Sequence, residues 1–354
     1  MMWLNKRIFA FFLIIGAVLL AQGCAGSGKA EESGENKPAG TEAKENIETA
    51  GPKIGVSIYR YDDNFMKVFR SELKQYLEET YQAEVLMRNA GGDQEEQDKQ
   101  IKEFISDGCD GIIVNPVEVL AAGGIADDCS KAGIPLVFIN REPKEAEQNR
   151  WKENHMAVSC IGTDSRQAGT YQGEIILETG NKGDLNGDGV VSYAMIMGEE
   201  GNEASDYRAE YSIKALEDGG MKTEELFSGN GDWDKDKGKK LAQSALNTYG
   251  KRIEVIFCNN DAMADGALEA VEEAGLVPGK DIYLVGVDAL EDTVESIKEG
   301  KIAGTVLNDH EGQSRTAADV LIKMIGKEEV DTRYLVDYIK ITTISTFQNL
   351  KGDQ

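Results

Sequence analysis

The chain has 354 residues, of which 63 are Asp or Glu and 38 are Lys or Arg, so its formal net charge is −25. This acidity argues against nucleic acid and acidic lipid as partners, because both select surfaces rich in Lys and Arg. A folded body of about 300 residues exceeds one hydrophobic core, so the length predicts two domains.

The first 23 residues have the pattern of a secretory signal peptide. Two basic residues precede an apolar run over residues 8–20, and small residues precede Cys24. This end is similar to a bacterial lipoprotein cleavage site, so the sequence predicts a lipid on Cys24; an ordinary secretory signal with an incidental cysteine is the alternative. Residues 24–51 are poor in large apolar side chains and are predicted to form a flexible tether outside the membrane.

From residue 53 onward, short apolar runs alternate with amphipathic helices. Strands are predicted over residues 54–59, 84–88, 111–115, 135–140, 192–197, 222–228, 254–259 and 282–287, with extended pieces over 304–307 and 338–343. Helices are predicted over residues 64–81, 93–108, 120–133, 166–179, 204–219, 235–249 and 262–274. The alternation predicts an α/β fold of two domains, each a parallel sheet wound on both faces.

Polar and aromatic residues gather where the predicted strands end. These clusters lie at residues 61–65, 140–143, 201–208, 231–234, 259–261, 287–289 and 307–309. Ligands of open α/β sheets bind beyond the carboxyl ends of the strands, and a cleft between two such domains is a natural ligand site. Asp accepts hydrogen bonds, Arg donates and Asn does both, which suits a neutral polyol such as a sugar. The alternative is that the Asp and Asn residues only cap helices and form turns.

Residues 184–189 read Asp-Leu-Asn-Gly-Asp-Gly, which is the opening half of a calcium loop. Position 12 of such a loop would be Met195 instead of a bidentate Glu, and the following residues are predicted to form a strand. Two interpretations stay open at this point. The segment is a plain turn, or it is a calcium site that a carboxylate from elsewhere in the fold completes.

Apart from Cys24, the chain has four cysteines, and none has C-x-x-C spacing, so zinc and thioredoxin-like chemistry are unsupported. These residues are Cys109, Cys129, Cys160 and Cys258. Because most adjoin apolar strands, small buried free thiols are the favoured prediction. A disulfide between Cys109 and Cys129 is the alternative for an exported protein.

Seven segments resemble the galactose/glucose-binding proteins of bacterial sugar ABC transporters, a family of periplasmic binding proteins. They read IGVSIYRYDDNFM, VFINREP, IGTDSRQAG, DLNGDG, IEVIFCNNDAMADGALEA, GVDAL and IAGTVLND. The resemblance runs from about Lys53 to Gln313 and implies a type I fold, with crossing strands near residues 162–164, 308–309 and 341–344. It implies an N-terminal domain over 52–162 plus 309–341 and a C-terminal domain over 163–308 plus 342–354.

The resemblance also implies particular site residues. The sugar-binding residues of the family fall on Asp63, Phe65, Asn140, Asn202, Arg208, Trp233, Asn260, Asp288 and Asn308. Its structural calcium site falls on Asp184, Asn186, Asp188, the Val190 carbonyl, Ser192 and the distant Glu254. Four positions depart from the family pattern, and one of them, Arg141 in place of a Lys, is expected to matter little. Asn202 replaces a His that contacts the sugar in the family, and Ala204 replaces an Asp expected at the anomeric hydroxyl. Ser192 replaces a Gln that is a calcium ligand in the family.

The resemblance implies a monomeric, non-enzymatic lipoprotein on the outer face of the cell membrane. It would close about its crossings on galactose, glucose or a galactoside and deliver the sugar to an ABC permease. A sugar sensor for a membrane receptor or kinase is the alternative. A glycoside-processing enzyme has little support, because the chain has two histidines and lacks the common hydrolase motifs, although Asp62 and Asp63 form a carboxylate pair.

Overall fold

The computed structural model describes residues 51–342. The predicted signal peptide, the lipid on Cys24 and all but the last residue of the predicted tether lie outside the described residues, as does the end of the third predicted crossing. Within the described part of the chain, no helix has the length and apolarity needed to cross a membrane.

The described residues contain twelve strands and ten α-helices. The strands are β1 (Lys53–Ile58), β2 (Glu84–Asn89), β3 (Gly111–Val114), β4 (Leu136–Ile139), β5 (Val158–Gly162), β6 (Val190–Met197), β7 (Lys222–Asn230), β8 (Val255–Cys258), β9 (Tyr283–Val285), β10 (Thr305–Leu307), β11 (Arg333–Leu335) and β12 (Ile339–Ile341). The helices are α1 (Asn64–Tyr81), α2 (Gln94–Ser106), α3 (Ala122–Ala132), α4 (Glu145–Glu153), α5 (Ser165–Leu177), α6 (Glu203–Asp218), α7 (Lys235–Tyr249), α8 (Asp261–Glu273), α9 (Glu291–Lys298) and α10 (His310–Ile325).

The strands form two separate parallel sheets, which confirms the predicted α/β class. The larger sheet has the order β11-β5-β4-β3-β1-β2, and the smaller has the order β7-β6-β8-β9. Strands β10 and β12 pair antiparallel beside the smaller sheet, with Thr305 opposite Ile341. The chain passes between the two regions after β5, after β10 and between β11 and β12.

Helix α1 shows how the sequence pattern produces the fold and places a site residue. Its stripe of Phe69, Leu73 and Leu77 is fully buried, as the three- and four-residue spacing predicts. The helix begins where the Asp63 carboxylate accepts the Met66 N–H at 2.7 Å. Asp63 therefore lies at the carboxyl end of β1, beside the edge where the strands of this sheet terminate.

Five elements were not predicted: α4, β5, α9, α10 and β11. Strand β11 is short, half-exposed and weakly apolar, so its sequence carries little strand signal. It is extended because it pairs with the open edge of β5, where Arg333 lies opposite Cys160. This pairing joins residues far apart in the chain, and local periodicity does not contain it.

The four cysteines in the described part of the chain are all free and buried. Burial raises the pKa of the Cys129 thiol to about 12, so it stays protonated at neutral pH. The prediction of buried free thiols is confirmed, and the alternative disulfide between Cys109 and Cys129 is not formed.

Candidate functional site

A cleft of about 1070 Å³ opens where the carboxyl ends of the two sheets face each other. All nine residues that the sequence suggested for sugar binding line this cleft. They are Asp63, Phe65, Asn140, Asn202, Arg208, Trp233, Asn260, Asp288 and Asn308. The fold therefore brings into one space residues from seven separate strand ends.

The wall formed by the larger sheet presents a carboxylate, an amide and an aromatic ring. The Asp63 carboxylate caps α1 and also accepts the Tyr59 hydroxyl at 2.5 Å. Phe65 is buried with its ring 5.9 Å from that of Phe69. Asn140 has a left-handed φ of 62°, and its side-chain oxygen accepts the Asn115 amide at 3.2 Å. Hydrogen bonds and packing thus hold these groups in place before a ligand binds.

Arg208 is the central cation of the opposite wall, and it is 6% exposed. Its Nη1 donates to the Asn259 carbonyl at 2.7 Å, and its guanidinium carbon lies 5.6 Å from the Trp233 ring centre. The Asn260 amide donates to the Trp233 carbonyl at 3.2 Å. Trp233 packs directly on Gly198, where an added Cβ would lie 2.1 Å from the indole. A side chain at residue 198 would therefore displace the ring.

Asp288 and Asn308 close the deep end of the cleft. Asp288 is 5% exposed and accepts the Asn308 amide at 3.2 Å. Burial raises the pKa of the Asp288 carboxyl to about 7, Arg208 opposes the rise, and the Asp63 carboxylate adds to it. Carboxylates from both sheets therefore face the same space. The left-handed φ of 118° at Asp288 is a strained conformation of the kind that accompanies binding sites.

The two departures from the family pattern at the start of α6 have different surroundings. Asn202 caps the helix, since its side-chain oxygen accepts the N–H groups of Ala204 at 3.0 Å and Ser205 at 3.3 Å. Ala204 lines the cleft and leaves it without a carboxylate at that point. Asp206, one half-turn further along, is exposed and is not part of the lining. Glu203, the residue before Ala204, does line the cleft, and its carboxylate accepts a hydrogen bond from Lys144 Nζ at 2.8 Å.

Several other groups in or beside the cleft were not selected as binding residues from the sequence. Arg141 forms an ion pair with Glu199, and Arg60 Nη1 lies 3.8 Å from another oxygen of Glu199. The two guanidinium groups also lie over the Tyr59 ring, at 4.5 Å and 5.2 Å from its centre. Tyr338 lines the cleft as well. Tyr59 lies at the end of a predicted strand. No local pattern in the sequence indicates that Arg141 and Arg60 would contact Glu199.

The suggested calcium loop and Glu254 are adjacent in the structure. Glu254 is 1% exposed, and its carboxylate accepts the N–H groups of Leu185 at 2.7 Å, Asn186 at 2.9 Å and Ser192 at 2.9 Å. The buried carboxylate that the loop itself lacks is therefore supplied from the start of β8. Gly187 and Gly189 have left-handed φ values of 78° and 86°, which the sharp turn requires.

The oxygen atoms of this loop are turned toward backbone groups. Asp184 accepts from Gly187 at 2.7 Å, and Asp188 accepts from Val190 at 2.9 Å. Ser192 directs its hydroxyl to Glu224 at 3.4 Å. Within residues 51–342, no three Asp, Glu, His or Cys side chains lie close enough to hold an ion as they stand. The residue types and their location fit calcium, and the side chains would have to turn inward to coordinate it.

The chain is similar to known binding proteins over most of its length. The family described as the periplasmic binding protein domain matches residues 54–329. The D-galactose/methyl-galactoside binding periplasmic protein MglB of Haemophilus influenzae is 34% identical over 275 residues, which cover 77% of this chain and 81% of the relative. A putative rhizopine-binding protein of Rhizobium meliloti is 28% identical over 82% of this chain and 89% of the relative.

A solved structure is similar as well. An ABC transporter solute-binding protein of Bacillus halodurans, crystallised with bound myo-inositol, has 30% sequence identity and a TM-score of 0.72 over 85% of this chain and 98% of that one. The fold and the cleft together define a two-sheet solute-binding protein of type I architecture. The chain belongs to the periplasmic binding protein family. It is a binding protein and not an enzyme, as the sequence predicted.

Proposed function

We propose that the protein works outside the cytoplasm, binds a sugar in the cleft between its two sheets and delivers it to the permease of an ABC transporter. One observation carries this proposal: acceptors, donors and aromatic faces from both sheets line a single cleft. Asp63 and Asp288 offer acceptors, Arg208 offers donors, and Phe65 and Trp233 offer flat apolar faces. A sugar has hydroxyls that both donate and accept and has apolar ring faces, so it matches this inventory.

The ligand class that we propose is a neutral hexose, with galactose, glucose and galactosides as the first candidates. The MglB relative supports galactose and methyl-galactoside, and the myo-inositol complex supports a six-membered ring bearing hydroxyls. Because Ala204 stands where the family has an Asp, residue 204 offers no carboxylate to accept a hydrogen bond from a free anomeric hydroxyl. This favours a galactoside over the free sugar.

Calorimetric titration tests the proposal, with D-galactose, D-glucose, methyl-β-D-galactoside and myo-inositol as probes. We expect micromolar or tighter binding of at least one, with methyl-galactoside among the best. Asp63→Asn should weaken that binding about tenfold or more, because it removes a charged acceptor and keeps a good helix cap. Asp62→Asn is the matched control, since the Asp62 side chain is 82% exposed. Absence of heat with all four probes would overturn the hexose assignment.

We also propose that the loop over residues 184–192 holds a structural calcium ion together with Glu254. The proposal is supported by four oxygen-bearing side chains in the loop, by the two left-handed glycines, and by the buried Glu254 carboxylate bonded to the same loop. Calcium would stabilise the attachment of the loop to β8 and would take no part in sugar chemistry.

Membrane attachment through a lipid on Cys24 remains a further proposal, supported by the sequence of the first 24 residues. Such an anchor would keep the binding protein beside the permease. Replacement of Cys24 by Ser should move the protein from the membrane fraction to the soluble fraction. Retention of the variant in the membrane fraction would count against acylation.

A further inference from the structure

Two nitrogens of Arg208 are held by hydrogen bonds, and its third nitrogen has no partner among the described residues. Its Nη1 donates to the Asn259 carbonyl at 2.7 Å, and its Nη2 donates to the Tyr338 hydroxyl at 3.0 Å. Its Nε is buried and has no hydrogen-bond partner among the described residues. A guanidinium is planar and carries five N–H donors in a fixed fork. The two existing bonds therefore determine the direction in which the remaining donors point.

Tyr338 is itself fixed by separate contacts. The Thr163 hydroxyl donates to the Tyr338 hydroxyl at 2.7 Å, and the Tyr338 backbone N–H donates to the Gln167 side-chain oxygen at 2.7 Å. The tyrosine is 3% exposed, and its ring centre lies 5.8 Å from the Arg208 guanidinium carbon. A buried hydroxyl with two partners is a stable anchor, because loss of either bond would leave a buried polar group unpaired.

The residues that meet at the Tyr338 hydroxyl come from different parts of the fold. Thr163 follows β5 of the larger sheet, and Tyr338 lies between β11 and β12, so both are in segments that connect the two sheets. Arg208 belongs to α6, beside the smaller sheet. One hydroxyl thus joins the cleft arginine to two of the connections about which the sheets would move.

We propose that Tyr338 is a positioning residue, which holds the Arg208 guanidinium in its ligand-binding orientation and ties it to the connections between the sheets. The proposal rests on the proposed sugar-binding function. It predicts that Tyr338, which lies outside the strand-end clusters, contributes to the affinity for sugar. In the absence of the hydroxyl, the arginine would keep its charge and its bond to Asn259 and would lose its second fixed corner.

The test compares Tyr338→Phe with Tyr76→Phe in the intact protein. Tyr76 is a matched control because its hydroxyl is also hydrogen-bonded, donating to Asp319 at 3.0 Å, and it does not line the cleft. The first readout is the NMR signal of the Arg208 Nε–H in the protein without ligand, identified by its loss in Arg208→Lys. We expect the signal in wild type and Tyr76→Phe, and at least tenfold faster exchange with water in Tyr338→Phe.

The second readout is the Kd for whichever of D-galactose, D-glucose, methyl-β-D-galactoside and myo-inositol binds wild type most tightly. We expect Tyr338→Phe to raise it about tenfold and Tyr76→Phe to leave it unchanged. A raised Kd with an unchanged NMR signal would mean that Tyr338 contacts the sugar itself, and would overturn the positioning role. An unchanged Kd would overturn it too. If no probe binds wild type, the sugar-binding proposal fails, while the NMR comparison still decides whether Tyr338 orients Arg208.

Discussion

Arg141 and Glu199 form an ion pair across the cleft, between the end of β4 in the larger sheet and the end of β6 in the smaller one. Their side chains are 14% and 26% exposed, so the pair is partly shielded from solvent. Arg60 reaches the same acid and also donates to the Asp232 carbonyl at 3.1 Å. Charged side chains therefore bridge the two sheets across the cleft.

This ion pair predicts a salt dependence of sugar binding. A neutral sugar has no charge for salt to screen, so ionic strength acts on contacts between protein groups. We expect the wild-type Kd to rise as NaCl is increased from about 50 mM to about 500 mM. Glu199→Gln should raise the Kd about fivefold at low salt, since a partly buried pair contributes roughly 1 kcal/mol. It should also reduce the salt dependence, of which the exposed pair of Lys144 with Glu203 across the same cleft would keep a part.

Glu200→Gln is the matched control for that experiment, because Glu200 also lines the cleft and has no ion pair among the described residues. Calorimetry at several salt concentrations provides the measurement. The same salt slope in Glu199→Gln and wild type would show that the pair does not contribute to closure.

Asp288 predicts a pH dependence of stability. Its pKa of about 7 in the folded protein is raised above the ordinary value of about 4 in an unfolded chain. Between these values the folded protein holds a proton that the unfolded chain has lost. The contribution of the protonated Asp288 carboxyl to the free energy of unfolding is therefore fully present below about pH 4. It is lost as the pH rises through 7, at roughly 1 kcal/mol per pH unit. Burial is the main cause, and Asp63 adds to it.

Replacement of Asp288 by Asn removes the titrating carboxyl. We expect the free energy of unfolding of wild type, measured in urea, to fall relative to that of Asp288→Asn as the pH rises from about 5 to about 7. Asp261 has a raised pKa to which Asp288 contributes, so the variant should also lower that pKa. Asp62→Asn, at an exposed position, should keep the wild-type profile. Parallel pH profiles for Asp288→Asn and wild type would contradict the assignment.

The calcium proposal predicts a metal-dependent melting temperature. Removal of calcium with a chelator should lower the Tm by several degrees, and excess calcium should restore it, because an ion that binds only the folded state stabilises it by mass action. Asp188→Ala should abolish the response to calcium. Asp218→Ala should retain it, since Asp218 lies on the surface in an exposed pair with Lys214. A wild-type Tm that is the same with chelator and with calcium would eliminate the site.

Much of the fold could be predicted because its signals are local. The spacing of Phe69, Leu73 and Leu77 marks a helix face, and its bounds agree with the structure at both ends. The weak elements were missed for the opposite reason. Strand β11 exists because β5 offers it an open edge, and α4 buries only one large apolar side chain, Trp151, so neither has a strong pattern of its own.

The candidate site likewise contains residues that local patterns predict and residues that they do not. Strand ends are recognisable in the sequence, and the carboxyl ends of parallel strands gather at one edge, so the clusters that contain Asp63, Asn140 and Asn260 could be predicted from the pattern. The resemblance to a known family selected these three residues within the clusters. The role proposed for Glu254 at the proposed calcium loop also came from that resemblance. The hydroxyl of Tyr338 could not be selected, because its partners come from two other segments of the chain.

By itself, the sequence determined the α/β class, the order of most elements and the residue types that gather at the strand ends, since periodicity and turn chemistry are properties of neighbouring residues. Only the tertiary structure decided which charges meet across the cleft, how deeply Asp288 is buried and what holds Arg208. Those properties depend on distances between residues far apart in the chain and on the exclusion of water around them, which a linear pattern does not encode.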